Sequence, residues 1–273
     1  LQRKHTKPWF LATGFYRPHI PYIAPKKYFD FYSLEKTTLP SWPENYREMV
    51  PGAALASTPE WPNFGTTERE ARECILAYDA CVSFVDAQVG KFLDYLESSE
   101  HAENTIIVLW GDHGYHLGEH GLWRKNSLFE ESARAPLIVA DPRIESSVTD
   151  CKRIVEFIDI FPTVTEMAGL APPENLDGVS LVPLLKNPRA EWDRPAFSQV
   201  QFRDVAGRSV RTERWRYVEW GEGGNEGREL YDQSEDPFEM KNLAEDSAFR
   251  KETDRLRALL EGDWSESTVS PDR

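Results

Sequence analysis

Uninterrupted apolar runs along the chain predict the strands of a core sheet. The run at residues 105–110, Thr-Ile-Ile-Val-Leu-Trp, is rich in β-branched side chains. Such a run predicts a strand buried on both faces, which is typical of parallel sheets. Shorter apolar runs at residues 8–15, 135–140 and 154–158 predict further strands of the same core.

Helical periodicity predicts two helices in the same part of the chain. Apolar residues recur at helical spacing over residues 67–98. Thr67 and Glu70 fit a capping box at the start of this helix. Because the helix leads directly into the following strand, the two form half of a βαβ unit. A second, short helix is predicted after Asp159, its N-cap, and ends at Gly169.

The pattern changes after about residue 187 to short segments with tight connections. These predict a small antiparallel sheet and then a charged amphipathic helix at residues 247–261. The strands are predicted at residues 195–201, 207–212, 214–220 and 228–231. We therefore predict an α/β domain over residues 1–190, an α+β subdomain over residues 191–264, and a tail over residues 265–273. We predict that residues 22–66 form an irregular segment packed on the surface of the core.

Composition excludes some partner classes. The chain of 273 residues has 46 acidic and 32 basic side chains and a formal charge of -14, which argues against nucleic acid and anionic membranes. No apolar run reaches the roughly 18 residues of a membrane span, and residues 1–10 contain no apolar signal core. Cys74 and Cys81 are too far apart on the predicted helix for a disulfide, and Cys151 is isolated, so the cysteines do not identify a redox compartment.

Candidate chemistry is concentrated in the loop that follows the strand at residues 105–110. Four glycines punctuate this loop, and its ionisable side chains are Asp112, His113, His116, Glu119, His120, Arg124 and Lys125. Ligands of open α/β sheets bind beyond the carboxyl ends of strands, so the loop predicts an active site that carries a metal. A second loop holds His19 between Pro18 and Pro21, which restrict its backbone.

The motifs of these loops resemble those of the sulfatase family of the alkaline-phosphatase-like superfamily, and within it the iduronate-2-sulfatase group. The resemblance rests on GDHG with LGEHGLWRK, upstream RPHIP, and downstream DIFPTVTEMAGL and DGVSLVPLL. A DHG motif with a lysine thirteen positions after its aspartate is the most specific part. The resemblance implies an α/β fold, a mixed or parallel sheet flanked by helices and incomplete at its N-terminus.

Four residues receive catalytic or metal-binding roles from the resemblance alone. It implies that Asp112 and His113 are ligands of a divalent cation, usually Ca²⁺. It implies that His19 protonates the leaving group. It implies that Lys125 neutralises charge on the sulfuryl oxygens. Both loops follow predicted parallel strands, so we expect His19 and Lys125 to converge on one cleft.

Four further residues are predicted to bind the substrate, a sulfated carbohydrate or other sulfate ester. Glu119 and His120 either line the pocket or orient the loop, and Tyr115 and Trp123 pack either on a sugar ring or on the core. A zinc cluster formed by His113 with His116, Glu119 and His120 is an alternative, because imidazole and carboxylate suit that ion. For His19, packing between the prolines is the alternative to catalysis.

The family's nucleophile motif is absent from these 273 residues. Sulfatases use a formylglycine made within a Cys-x-Pro-x-Arg type motif, preceded by paired aspartates that complete the metal site, and a Lys-x-x-His segment. None of Cys74, Cys81 and Cys151 lies in such a motif. We therefore expect the chain to be the C-terminal portion of a sulfatase, inactive without an N-terminal half that supplies the formylglycine. Periplasmic, secreted or lysosomal location is the family expectation. A phosphoesterase or phosphonate hydrolase of the same superfamily, or a non-catalytic fragment, are the alternatives.

Overall fold

Helices and antiparallel strands make up the part of the chain that the computed structural model describes, residues 6–144 and 150–266. The α-helices are α1 (Lys26–Phe29), α2 (Tyr46–Met49), α3 (Glu68–Glu97), α4 (Glu130–Ala133), α5 (Ile160–Met167), α6 (Val182–Lys186) and α7 (Arg250–Glu266). The strands are β1 (Ile107–Trp110), β2 (His116–Leu117), β3 (Trp123–Arg124), β4 (Leu137–Ala140), β5 (Ala196–Phe202), β6 (Val205–Arg211), β7 (Trp215–Trp220) and β8 (Gly227–Asp232). Contacts divide the chain into two units, Leu1–Pro40 with Gly65–Thr105, and Ser41–Phe64 with Ile106–Arg273. The predicted bounds at residues 190 and 264 stay a prediction.

The first unit is built on α3, which confirms the predicted long helix. Thr67 Oγ1 accepts from the Glu70 backbone N–H at 3.3 Å, and the Thr67 N–H donates to Glu70 Oε2 at 2.8 Å. This is the predicted capping box, which satisfies two of the unpaired donors at the helix start. Cys74 and Cys81 of α3 are both free thiols, as the spacing predicted.

The predicted strand at residues 8–15 is wrong. These residues adopt no regular secondary structure, and Phe10 is 83% exposed. A strand requires a hydrogen-bonded neighbour, and no strand among the described residues pairs with this segment. Apolar composition alone therefore misled the prediction.

The strand that precedes the candidate loop is present as β1, but its pairing differs from the expectation. β1 pairs with β4 in antiparallel register, with Val108 opposite Val139, so the predicted parallel arrangement is not found among the described residues. The predicted burial of this strand on both faces is also wrong, because Trp110 is 51% exposed. The chain passes from β1 to β4 through the site loop and the short helix α4, and β4 runs back alongside β1 in the opposite direction.

The predicted C-terminal sheet is confirmed, as a four-stranded antiparallel meander in the order β5-β6-β7-β8. Along β7 the side chains alternate between two cores. Tyr217 packs with Leu256 and Leu260 of α7, while Val218 packs in the other cluster with Tyr46. A fully buried apolar side chain contributes about 1.5–3 kcal/mol, so both faces of the sheet are firmly held.

The irregular segment at residues 22–66 is more than a surface excursion. Tyr46 is fully buried, and it shares a core cluster with Leu122, Phe129 and Trp220. Part of this segment therefore belongs to the interior of the second unit.

The region around residues 154–169 contains one confirmed and two corrected features. α5 forms as predicted, and Gly169 ends it in the left-handed region at φ 70°. The predicted strand at residues 154–158 is wrong, because part of it forms a 3₁₀ turn at Phe157–Asp159. Asp159 does not cap α5 with its side chain; its carboxylate instead accepts the backbone N–H groups of Glu156 and Val179, each at 2.9 Å.

The ends of the chain complete the comparison. α7 continues to Glu266, beyond the predicted helix end at residue 261. The rest of the predicted tail, residues 267–273, lies outside the described residues, as do residues 1–5. Within the described ranges, no helix has the length and apolarity needed to cross a bilayer.

Candidate active site

Asp112 and His113 follow β1 directly and present two acceptor atoms to each other. His113 Nδ1 lies 2.7 Å from the Gly114 carbonyl oxygen. A carbonyl can only accept, so Nδ1 carries the proton, and in the neutral ring Nε2 keeps its lone pair. That Nε2 lies 3.4 Å from Asp112 Oδ2, and the Asp112 side chain is 86% exposed. Two facing acceptors at an open position suit a cation.

These two residues fit a metal site in part. Calcium takes about six to eight ligands, mostly oxygens. Within residues 6–144 and 150–266, no group of three or more His, Cys, Asp or Glu side chains is placed to hold an ion. Asp112 and His113 alone are too few to hold such an ion, so their assignment as metal ligands stays a prediction.

The alternative zinc cluster is not formed among the described residues. His116 is buried, and its Nε2 hydrogen-bonds to Ser127 Oγ at 2.7 Å. Burial, followed by the neighbouring charge of His120, lowers the pKa of His116 to about 3. His116 therefore acts as a neutral core histidine.

His120 is fully buried, and protein groups engage both of its ring nitrogens. Nδ1 hydrogen-bonds to the Tyr46 hydroxyl, and Nε2 lies 3.2 Å from Glu131 Oε2. Its ring stacks on Phe129, with the centroids 3.9 Å apart. This supports the loop-orienting alternative and leaves no ring atom for the predicted contact with substrate.

The other predicted substrate residues have different surroundings. Glu119 Oε2 accepts the Leu117 backbone N–H at 2.6 Å, so this carboxylate also orients the loop. Burial raises the pKa of Glu119. Trp123 is 7% exposed and donates from Nε1 to Asn63 Oδ1 at 2.9 Å, which places it in the core rather than on a sugar ring. Tyr115 is half-buried, and its role in substrate binding stays a prediction.

Lys125 follows the hairpin formed by β2 and β3, in which His116 pairs with Arg124. The Lys125 side chain is half-buried. Within the described part of the chain, its ammonium group has no ion pair or hydrogen bond. This leaves its charge available to an anion. Its backbone carbonyl oxygen accepts the hydroxyl of Ser132 on α4.

The segment with Asp112 and His113 is attached to the same helix. The Gly114 N–H donates to the Ser132 carbonyl oxygen at 2.9 Å. A Cβ added at Gly114 would lie 2.0 Å from the Glu131 carbonyl oxygen, so only glycine permits this close approach. Sequence reasoning missed Ser132, because its residue type and spacing carry no recognisable signal.

His19 lies in the first unit, within a loop that is held by its own hydrogen bonds. Its N–H donates to the Tyr16 carbonyl at 3.1 Å, and Arg17 Nη1 donates to the His19 carbonyl at 3.1 Å. His19 Nδ1 donates to the Ile20 carbonyl at 2.6 Å, and the residue is exposed. The predicted restraint of this loop is confirmed, whereas its convergence with Lys125 stays a prediction.

Comparison with known proteins identifies the class to which this fold and loop belong. A phosphonate monoester hydrolase of Agrobacterium radiobacter superposes with a TM-score of 0.81 over 96% of this chain and 58% of that one; at 24% identity this likeness shows the fold alone. A structure described as a 2-O GAG sulfatase is 26% identical and superposes with a TM-score of 0.73 over 90% of this chain and 58% of that one, so the architecture is that of the alkaline-phosphatase-like superfamily. This confirms the predicted fold class in part.

Sequence comparison then gives the family. The sulfatase profile matches residues 1–170, and the profile described as N-sulphoglucosamine sulphohydrolase, C-terminal, matches residues 118–265. A sulfatase of Formosa agariphila is 36% identical over 94% of this chain. A delta 4,5-hexuronate-2-O-sulfatase of Bacteroides thetaiotaomicron is 33% identical over 71% of this chain and 42% of its own length. The chain belongs to the sulfatase family, and it spans 50% of the Formosa relative.

Proposed function

We propose that the protein hydrolyses sulfate esters. The observation that carries this proposal is the geometry of the site loop. Asp112 Oδ2 and His113 Nε2 face each other at 3.4 Å, and both this segment and Lys125 are hydrogen-bonded to the short helix α4. A cation beside a free lysine ammonium is suited to the negatively charged oxygens of a sulfuryl group. Membership of the sulfatase family supports the same reaction class.

The proposed substrate is a sulfated glycan, in particular a uronate 2-sulfate. The support for this class is the relative named for 2-O-sulfated hexuronates, together with the open position of Asp112. A sugar alkoxide is a poor leaving group and needs a proton as it departs. An extracytoplasmic location, whether periplasmic, secreted or lysosomal, belongs to the same proposal.

The chain's own residues divide the work in this proposal. Asp112 and His113 would hold Ca²⁺, which would supply charge to bind one sulfate oxygen. Lys125 stabilises the charge on the remaining sulfuryl oxygens. When the S–O bond to the sugar breaks, imidazolium Nε2 of His19 donates its proton to the departing oxygen, because Nδ1 is committed to the Ile20 carbonyl. A formylglycine outside these 273 residues would supply the nucleophile.

The test compares His19→Ala and Lys125→Ala in the full-length protein that contains this chain. His19→Ala should slow a sugar sulfate much more than a nitrophenyl sulfate, because an activated phenol hardly needs a proton. Lys125→Ala should slow both by comparable factors, on the order of 10²- to 10³-fold. The measurement is kcat/KM for each pair, read as loss of transition-state stabilisation. Equal penalties from His19→Ala on both substrates would remove its general-acid role.

Two further assays separate the alternatives. A phenylphosphonate ester turned over faster than any sulfate ester would favour the phosphonate hydrolase alternative. We expect the 273-residue chain by itself to release no sulfate, because the nucleophile and part of the metal site are missing. Calcium-dependent sulfate release by this chain alone would contradict that expectation.

A further inference from the structure

Ser132 is bonded to both parts of the candidate site. Its carbonyl oxygen accepts the Gly114 N–H at 2.9 Å, and its hydroxyl donates to the Lys125 carbonyl oxygen. Ser132 is only 4% exposed, so water competes little for either bond. One buried residue therefore links the segment of Asp112 and His113 to Lys125.

The helix that carries Ser132 is fixed from its other side. The Glu130 N–H donates to Glu239 Oε2 at 2.8 Å, and the Glu130 carboxylate pairs with Arg216 of β7. Arg216 in turn donates to Glu239 Oε1 at 2.6 Å, and both residues are almost completely buried. A single turn of helix is unstable alone, so these bonds set the position of α4.

The two bonds of Ser132 differ in a way that an experiment can use. The bond to Gly114 uses backbone atoms and survives any side-chain replacement. The bond to Lys125 uses the hydroxyl and is lost in alanine. Removing the hydroxyl therefore breaks the attachment of the Lys125 backbone to α4, while the bond between Gly114 and α4 stays in place.

We propose that Ser132 is a positioning residue that sets the place of Lys125 relative to Asp112 and His113. The inference rests on the proposed function, in which the Lys125 ammonium stabilises charge on the sulfuryl group. Catalytic groups must be held to about 0.5 Å, and a misplacement of about 1 Å can cost 10²-fold in rate. A displaced Lys125 should therefore slow turnover without lowering the affinity for calcium.

The first test compares Ser132→Ala with Ser132→Thr in the full-length protein. Ser132→Ala should lower kcat by about 10- to 100-fold, with KM and calcium affinity close to wild type. Ser132→Thr keeps the hydroxyl and should restore most of the rate. Ser98→Ala is the matched control, because this exposed serine also donates to a backbone carbonyl, that of Tyr95 at 3.0 Å. A loss of calcium affinity in Ser132→Ala equal to its loss of rate would overturn the proposal.

A double-mutant cycle asks whether Ser132 acts through Lys125. Lys125→Ala removes the ammonium and keeps the carbonyl that Ser132 binds. If the hydroxyl matters only by placing the ammonium, Ser132→Ala should cost less than about twofold in the Lys125→Ala background. Full additivity of the two substitutions would contradict the positioning role.

Amide hydrogen exchange decides the geometry even if the full-length protein hydrolyses no sulfate ester, an outcome that would refute the proposed function alone. Residues 122–128 should exchange faster in Ser132→Ala than in wild type and should return to the wild-type rate in Ser132→Thr. Residues 112–115 should exchange equally in all three. Unchanged exchange of residues 122–128 in Ser132→Ala would overturn the inference.

Discussion

At Gly114 the site loop passes so close to the backbone of α4 that a side chain has no room. Replacement by alanine would put Cβ 2.0 Å from the Glu131 carbonyl oxygen and 2.4 Å from that of Arg134. Backbone atoms cannot yield as a flexible side chain can, so the loop must move and carry His113 with it. We predict that Gly114→Ala lowers calcium affinity of the full-length protein by about 10- to 100-fold, the range seen when a ligand loses its support.

Calorimetry of calcium binding checks this prediction, with Gly52→Ala as control. A Cβ at Gly52 meets no atom within 4 Å, and Gly52 does not have a positive φ. Gly52→Ala should therefore leave calcium affinity unchanged. Equal calcium affinities for the two variants would show that the close approach at Gly114 does not position Asp112 and His113.

Sequence reasoning at the scale of single residues succeeds where the relevant contacts are local. The capping box of Thr67 and Glu70 joins residues three apart, and it was predictable for that reason. The bond between Tyr46 and His120 spans 74 positions, and no local pattern encodes it. The same limit hid Ser132, whose partners are chosen by the path of the backbone rather than by residue type.

At the scale of elements, α4 is connected to β7 by a buried network of charged side chains, Glu130, Arg216 and Glu239. Arg216 pairs with the carboxylates of Glu130 and Glu239, and its side chain is 2% exposed. Removing the guanidinium would leave Glu239 buried without a counter-charge, while Glu130 keeps only Arg211 at 3.4 Å. Breaking a buried pair in this way costs about 3–5 kcal/mol. We therefore predict that Arg216→Met lowers the free energy of unfolding by about that amount in urea titration.

The matched control for this prediction is Arg214→Met, in the turn that precedes β7. Arg214 pairs with Asp232 at 2.6 Å, but its side chain is 57% exposed. Water screens such a pair, so its loss should cost less than about 1 kcal/mol. A similar cost for both arginines would mean that burial does not determine the strength of this network.

Periodicity predicted those elements whose shape follows from their own residues. The 3.6-residue pattern of α3 and the short segments with tight connections at β5 to β8 were sufficient to predict them. An apolar run reports burial but neither strand direction nor the presence of a partner. For that reason the pairing of β1 and the strands at residues 8–15 and 154–158 were predicted wrongly.

At the scale of the whole molecule, stability against pH depends on acids in the interior. Burial raises the pKa of Glu229 to about 7 from 4.5, although the Trp220 Nε1–H and Tyr231 hydroxyl donors partly offset the rise. The unfolded chain loses this proton near its ordinary pKa, whereas the folded protein keeps it. The stabilising contribution is therefore complete below pH 4.5 and is lost as pH rises through about 7.

We predict that this group gives the unfolding free energy a downward slope of at most about 1.4 kcal/mol per pH unit in that window. Glu229→Gln imitates the protonated side chain and should remove the slope. Urea unfolding at several pH values from 5 to 7.5 should therefore show the variant gaining on the wild type as pH rises, by about 1 kcal/mol or more. The exposed Glu226→Gln should show no such trend. Parallel pH curves for wild type and Glu229→Gln would assign the pH dependence to other groups.

The ion network of Glu130, Arg216 and Glu239 also constrains which substitutions the protein can accept. A mutation that removes Arg216 leaves Glu239 buried without a counter-charge, so we expect it to be tolerated only together with changes at the acidic positions. The three positions should therefore co-vary among relatives, although they span more than a hundred residues of sequence. Substitutions in β7 are thereby linked to substitutions in α4, and we expect a chimera that exchanges the C-terminal sheet to fold well only if it also carries the matching α4.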